Sequence, residues 1–356
     1  MDGMWQGRYI VFCALAFIAG DILGGIISFP PAVWLLTAVL LAALCLRHPS
    51  LAAFALAFAA LGAAGVQIGR MPPAGETPAI RLWASGLKER FSDYLATLLP
   101  DGDELSILRA LAIGDKSGIG RGLKADYRAS GAMHLLALSG LHVGIIYGIT
   151  ALVLRPLGGS RPARGLRSAV TLAFLWLFAL VSGLSPSIFR AVMMITLYEL
   201  SDRFSGERDG LAALAASALI AALLDPESPR DIGFQLSYAA MISIFVIFPR
   251  LKGLLSTRSR LLRRVWEMIA VSISCQATCG LLAWFYFGTF PRYFLLTAIL
   301  AVPVATAVMY AAAAALATAW LPASGIAGAV ASFTVSVLRN ILHALNWVIT
   351  AIASLT

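Results

Sequence analysis

His134-Leu-Leu-Ala-Leu-Ser139-Gly-Leu-His142-Val-Gly144 opens a run that reaches Leu154 without an acid, a lysine or an arginine, yet it carries two histidines and a serine. Polar groups at membrane depth are costly and are kept for pairing or for a task. The stretch therefore sets two questions: whether the chain crosses a membrane, and what these side chains do there.

The whole chain answers the first. Of its 356 residues 60% are hydrophobic and 13% charged, with a mean hydropathy of +0.84. A soluble domain carries about 25% charged residues. Ala- and Leu-rich runs recur without the alternation of a barrel strand, and an open sheet leaves its backbone unsatisfied in lipid. The fold class is thus all-α, a polytopic transmembrane helical bundle. The formal charge of +9 would point to nucleic acid in a soluble protein; here Lys and Arg in cytoplasmic loops account for it. Cys13, Cys45, Cys275 and Cys279 all lie in apolar runs, and none has metal or redox spacing. They read as small buried residues.

Counting apolar segments of roughly 20 residues predicts about 11 spans. Three come first (9–28, 32–46 and 50–68), the first with Arg8 ahead of it and read as a retained span rather than a leader. Residues 69–131 are too charged for lipid. Within them Ile80, Trp83, Leu87, Phe91, Tyr94 and Leu98 recur at helical spacing, with Arg81, Lys88, Glu89 and Asp93 opposite, an amphipathic helix. Short helices follow, one ending near Gly114 and one over 121–130. Spans resume at 134–154, 168–184, 187–200, 210–224, 233–249, 266–287, 293–319 and 325–350. Three regions result: an N-terminal three-span region (1–68), extracytoplasmic amphipathic helices (69–131) and a transmembrane core (132–356). The loop Arg155–Arg167 holds four arginines and the loop Arg250–Arg264 six basic residues, neither with an acid. Both read as cytoplasmic, and the four spans between them make the two assignments agree. Counting back puts the N-terminus inside and 69–131 outside.

On a helix running from His134, Ser139 and His142 are about 60° apart and His134 and Ser139 about 140° apart, so one broad face presents all three. They line a watery path, or they pack: Gly140 and Gly144 form a small-xxx-small pair and serine bonds across helices. In Ser185-Pro186-Ser187-Ile-Phe-Arg190 a turn starts a helix and Arg190 falls one turn in. It either snorkels to the outer interface or holds a fixed positive charge toward a cavity that takes an anionic backbone. Asp225-Pro226 and Asp231 border a short external loop as helix caps, and Gln235 and Ser237 follow on different faces early in a span. Packing or a DNA path are the two readings of these as well.

In order and spacing these motifs resemble the competence domain of the ComEC/Rec2 competence proteins. Gly114-Asp115 ahead of a short basic helix comes first. The Ser-Gly-Leu-His run, the Ser-Pro-Ser turn with Arg190-Ala191, Asp225-Pro226 and Gly233-Phe-Gln-Leu-Ser237 follow. Phe287-Gly288 then precedes a span containing Pro303. The resemblance covers about residues 79–319. It implies an inner-membrane channel for single-stranded DNA during natural transformation, set in membrane lipid. Possible partners are a separate DNA receptor, a nuclease and a cytoplasmic motor, and oligomers are possible. The site residues carried over are His142, Ser139, Arg190, Asp225, Gln235 and Ser237. Family members commonly add an OB-like domain and a metallo-β-lactamase-like domain. This sequence shows no strand-rich insert after the third span and no His-x-His-x-Asp cluster, with four histidines in all. No metal site, no cofactor and no catalysis are expected. The aromatic run Trp284-Phe285-Tyr286-Phe287 lines the path or belongs to an interfacial belt.

Three other readings stand beside it. A secondary transporter of a small anion would show matching broken segments in two halves, and none is visible. An intramembrane serine hydrolase would need a base within reach of Ser139. A truncated relative without DNA transport is the third.

Overall fold

The computed structural model describes residues 3–27, scattered positions between 30 and 66, and 79–355 except 159, 205–208, 226, 256, 289–292 and 323. Among these residues every regular element is helical. The protein is an all-α membrane bundle. Its helices are α1 (Gly3–Ile26), α2 (Ala79–Ala96), α3 (Asp103–Ile113), α4 (Arg121–Ala129), α5 (Gly140–Val153), α6 (Arg161–Val181), α7 (Pro186–Phe204), α8 (Gly210–Leu224), α9 (Ile232–Val246), α10 (Phe248–Lys252), α11 (Arg260–Cys275), α12 (Leu281–Phe287), α13 (Phe294–Thr318) and α14 (Gly325–Ala353). A π-helical turn, Gln276–Gly280, joins α11 to α12. Four helices are long and apolar enough to cross a membrane: Pro162–Val181, Arg260–Phe287, Phe294–Thr318 and Gly325–Ala353. Shorter apolar helices run over Val11–Ile26, Gly140–Val153, Gly210–Leu224 and Ile232–Val246. Of the expected span 32–46, residues 33–38, 40 and 41 are described and helical, of 50–68 only scattered helical positions are, and Cys45 lies outside the described residues.

Local chemistry explains the helix starts. Ser160 caps α6 by accepting from the Ala163 N–H, with Pro162 in the first turn. Asp209 caps α8 through the Leu211 and Ala212 N–H groups, and Ser259 caps α11 through Leu262. Each cap satisfies donors that the first turn leaves open. Two of these caps lie in the arginine-rich loops, and helices α6 to α9 run between those loops.

The chain forms two compact units that cut across the three consecutive regions read from the sequence. One comprises residues 1–77 and 190–245, the other 78–189 and 246–356. In the first, α1 packs on α8, and Gly20 and Gly24 meet the backbone of Ala59 and Ala63. A Cβ on Gly24 would lie 2.5 Å from the Ala63 Cα, so only a glycine permits this approach.

In the second unit α13 and α14 form a close-packed hairpin, with Ala301, Ala305, Ala312 and Ala315 against Leu338, Leu342, Leu345 and Ile349, all buried. The short helices α3 and α4 pack on this hairpin. Asp103 and Glu104 in the first turn of α3 complement its dipole, while Leu105, Ile107, Leu108 and Leu111 are fully enclosed. Tyr127 of α4 is wholly buried and donates to Asn346 Oδ1 at 3.2 Å. Thr350 donates to Asp126 at 2.9 Å. The segment too charged for lipid thus builds the core of this unit through its apolar side. Trp284, Phe285, Tyr286 and Phe287 are all exposed, the placement of an interfacial belt.

One expected span is corrected. No helix runs from His134: Ala132–His134 is a 3-10 turn, an irregular stretch follows, and α5 begins at Gly140. Gly131, at φ 76°, breaks the chain after α4, and the Ser139 side chain offers the next start signal. The angles computed for a continuous helix therefore do not apply to His134 and Ser139.

Leu108→Ala should cost about 2–5 kcal/mol of stability, whereas Phe333→Ala, on an exposed face of α14, should change it by less than about 0.5 kcal/mol. Unfolding of the purified protein in micelles measures both.

Candidate functional site

Ser139 takes extended backbone angles as the N-cap of α5, and His142 stands at the third position of that helix. The Ser139 N–H donates to His142 Nδ1 at 3.3 Å, and the Ser139 hydroxyl lies at the same distance from that nitrogen. The imidazole thus takes the place that a glutamate holds in a capping box. Accepting at Nδ1 puts the ring proton on Nε2. His142 is buried and Ser139 half-buried. His134 is exposed, and its Nδ1–H donates to the Gly131 carbonyl at 2.9 Å. The three residues do not share a helical face; two form a helix start and the third closes the turn before it.

The same unit gathers three of the sequence motifs. Gly114 ends α3 at φ 71°, its N–H bonded to Ala110. A Cβ there would stand 2.8 Å from Leu138 Cδ1, so the Gly114-Asp115 turn and the 134–144 run are in direct contact. Gly114, Leu138 and the Ser185-Pro186-Ser187 turn line one open cavity of about 190 Å³. Just ahead of that turn Leu184 holds a left-handed conformation at φ 52°, uncommon for a residue with a branched side chain.

In the other unit Arg190 is 8% exposed. Its Nη2 donates to the Gly233 carbonyl at 2.9 Å and to Ser237 Oγ at 3.1 Å. Its guanidinium carbon sits 5.7 Å from the centre of the Phe234 ring, and that ring stacks at 4.3 Å on Tyr238. Ser237 also donates to Gly233 at 2.7 Å, and Tyr238 meets Ser217 of α8 at 3.1 Å. Arg190 therefore neither snorkels nor stands free toward a cavity. It clasps the first turns of α9, joining the Ser-Pro-Ser-x-x-Arg motif to the Gly-Phe-Gln-Leu-Ser motif. Gln235 donates to the Pro229 carbonyl at 3.1 Å. Asp231 accepts from Phe234 N–H at 3.0 Å as the cap of α9. Asp225 is exposed and accepts from Glu227 N–H at 3.2 Å; Pro226 lies outside the described residues.

A residue not singled out from the sequence stands nearby. Asp21 of α1 is fully buried, and neither of its carboxylate oxygens has a hydrogen-bond partner. Arg230 reaches its backbone carbonyl at 2.7 Å and lies 3.9 Å from Oδ2, while bonding Glu227 at 2.9 Å. The approach runs over Gly25, where a Cβ would collide with the guanidinium. An acid in an apolar span was the available signal. The π turn carries a second, the buried Gln276 Nε2 without a partner, and such turns often mark functional places in helices.

The family described as "Competence protein" matches residues 111–356, a stretch that holds every motif above. The chain belongs to the competence protein family. ComE operon protein 3 of Bacillus subtilis is 31% identical over 169 residues, covering 47% of this chain and 21% of that protein. Competence protein ComA of Neisseria gonorrhoeae is 30% identical over 151 residues, 40% of this chain and 21% of the relative. Recombination protein 2 of Haemophilus influenzae is 27% identical over 139 residues, with 38% and 18% covered. The matched part spans about a fifth of each relative's length. No solved structure matches.

Within this competence region Arg190 and Ser237 share one hydrogen-bonded clasp. Arg190→Ala and Ser237→Ala should each destabilise the protein, and a double-mutant cycle should show coupling above about 0.5 kcal/mol, read from unfolding midpoints. Ser139→Ala should cost about 1 kcal/mol through the lost cap, with Ser139→Asp retaining most of it.

Proposed function

We propose that this chain is the transmembrane core of an inner-membrane channel that passes single-stranded DNA during natural transformation. One observation carries the reading: the competence family match extends over 111–356, and the relatives bear competence or recombination names. The fold supports it. Among the described residues four helices are long and apolar enough to cross a membrane, and the motif residues hold the starts of neighbouring helices together, as a conduit requires. In this reading the N-terminus and both arginine-rich loops face the cytoplasm. Residues 69–131 face outward and receive the strand. A DNA receptor, a nuclease activity and a motor act together with this core.

Deletion of the gene in a transformable host should abolish chromosomal-marker transformants, and the intact gene should restore them. Arg190→Ala should restore them poorly and in step with the reduced amount of folded protein. Unchanged transformant numbers in the deletion strain would refute the DNA-channel reading.

A further inference from the structure

The cavity between the Gly114 turn, Leu138 and the start of α7 has an unusual lining. Lys88 of α2 and Lys116 of the turn after α3 enter it from two directions, and Ser182, Ser185 and Ser187 supply hydroxyls. Neither lysine forms an ion pair among the described residues. Burial and the neighbouring Lys124 pull the Lys116 ammonium below its ordinary pKa. Asp115 accepts from the Ser117 N–H at 3.0 Å, and against the upward pull of burial that bond together with the charges of Lys88 and Arg109 holds its carboxyl below the ordinary range.

The serine turn is equally incomplete. Ser185 precedes Pro186 and accepts the first bond of α7, from the Phe189 N–H at 2.9 Å. An N-cap serine ordinarily turns its hydroxyl onto a first-turn N–H. Here the Ser185 Oγ is buried and has no hydrogen-bond partner. The first-turn N–H groups of Ser187 and Ile188 have no intrahelical acceptor by position, and the positive end of a 19-residue helix points the same way. Two ammonium groups, one of which also faces the field of Asp115, an unpartnered hydroxyl and a helix start thus share one cavity.

Resting on the DNA-channel reading above, we propose that this cleft grips one backbone phosphodiester of the DNA strand in transit. Its volume of about 190 Å³ admits a phosphate group. No aromatic side chain lines it for a base to stack upon, so it reads charge and not sequence. Lysines act as point charges on flexible stems, whereas arginine forks lock a phosphate in one pose; a grip made of lysines lets the next phosphate replace the last. Of the apolar lining, Ile113 and Leu138 are enclosed core, and only Ala137 and Pro186 present apolar surface, a small wall for an acyl chain beside two lysines and three serines.

The test uses the full chain in phosphatidylcholine nanodiscs and a fluorescein-labelled oligothymidylate read by anisotropy. Lys88→Gln/Lys116→Gln should weaken binding about tenfold or more and flatten the salt dependence by about 0.7 in log–log slope per phosphate lost. Lys88→Arg/Lys116→Arg should keep equilibrium affinity, and Arg263→Gln/Arg264→Gln should change it little. Ser185→Ala, a smaller change to the fold, should weaken binding about threefold, and an uncharged methylphosphonate strand should not bind. Equal thermal midpoints show that a variant is folded; if the double glutamine variant is not, the Ser185→Ala and methylphosphonate results decide. Wild-type binding left unchanged by Lys88→Gln/Lys116→Gln or Ser185→Ala in folded protein would overturn the cleft while leaving the channel reading intact. No oligothymidylate binding by the wild type would overturn both. Lysine-dependent binding of phosphatidylglycerol, with DNA binding independent of the lysines, would reassign the cleft to a lipid headgroup and overturn the proposal.

Discussion

A peptide group in hydrocarbon has no water to bond, and this constraint governs the whole molecule. Each interruption of a helix exposes donors and acceptors that something nearby must satisfy. The chain interrupts itself between Gly131 and Ser139, between Ser182 and Ser185 and between Asp225 and Asp231, and the polar motif residues flank these breaks. His142 accepts from the Ser139 N–H, His134 donates to Gly131 and Arg190 donates to Gly233. Much of what looks like a row of functional polar groups is the upkeep of broken helices. What remains after that upkeep is subtracted is the more informative set: the Ser185 hydroxyl, the two cleft lysines and the Asp21 carboxylate.

Helix type and most helix positions were legible because apolar length and basic loops are one-dimensional signals. Gly210–Leu224 coincides with its expected span, and the helices around 79–96, 103–113 and 121–129 follow the amphipathic spacing and the glycine stops. The run from His134 misled because its apolarity continues across a turn: Leu135, Leu136 and Leu138 are buried by packing on neighbours rather than by a helix of their own. Hydropathy reports burial, and burial has more than one geometry.

The candidate site was legible in kind and not in arrangement. The sequence marked Arg190, Ser237 and the Gly-Phe-Gln-Leu-Ser run as polar features of spans, but 43 residues separate Arg190 from the Gly233 carbonyl that it holds. Nothing in spacing announces that pairing. Lys88 and Lys116 were hidden for a different reason: on an amphipathic helix and in a charged turn, a lysine is ordinary. Only the fold of residues 79–131 onto the α13–α14 hairpin brings them to one cavity, and that fold depends on Leu105, Leu108 and Tyr127, whose burial a surface-lying helix would not require.

The π turn at Gln276–Gly280 has a consequence for how this helix tolerates change in length. A wide turn takes up one residue more than a regular one, so the segment beyond it keeps the orientation that an evenly wound helix one residue shorter would give it. In a regular turn the same extra residue would rotate everything beyond by about 100° and carry the aromatic side chains of 284–287 off the face they now occupy. A stretch such as Gln-Ala-Thr-Cys-Gly reads as permissive filler in composition. It acts instead as a slack turn, so loss of one residue there should disturb the rest of this helix less than loss of one residue from the regular turns on either side.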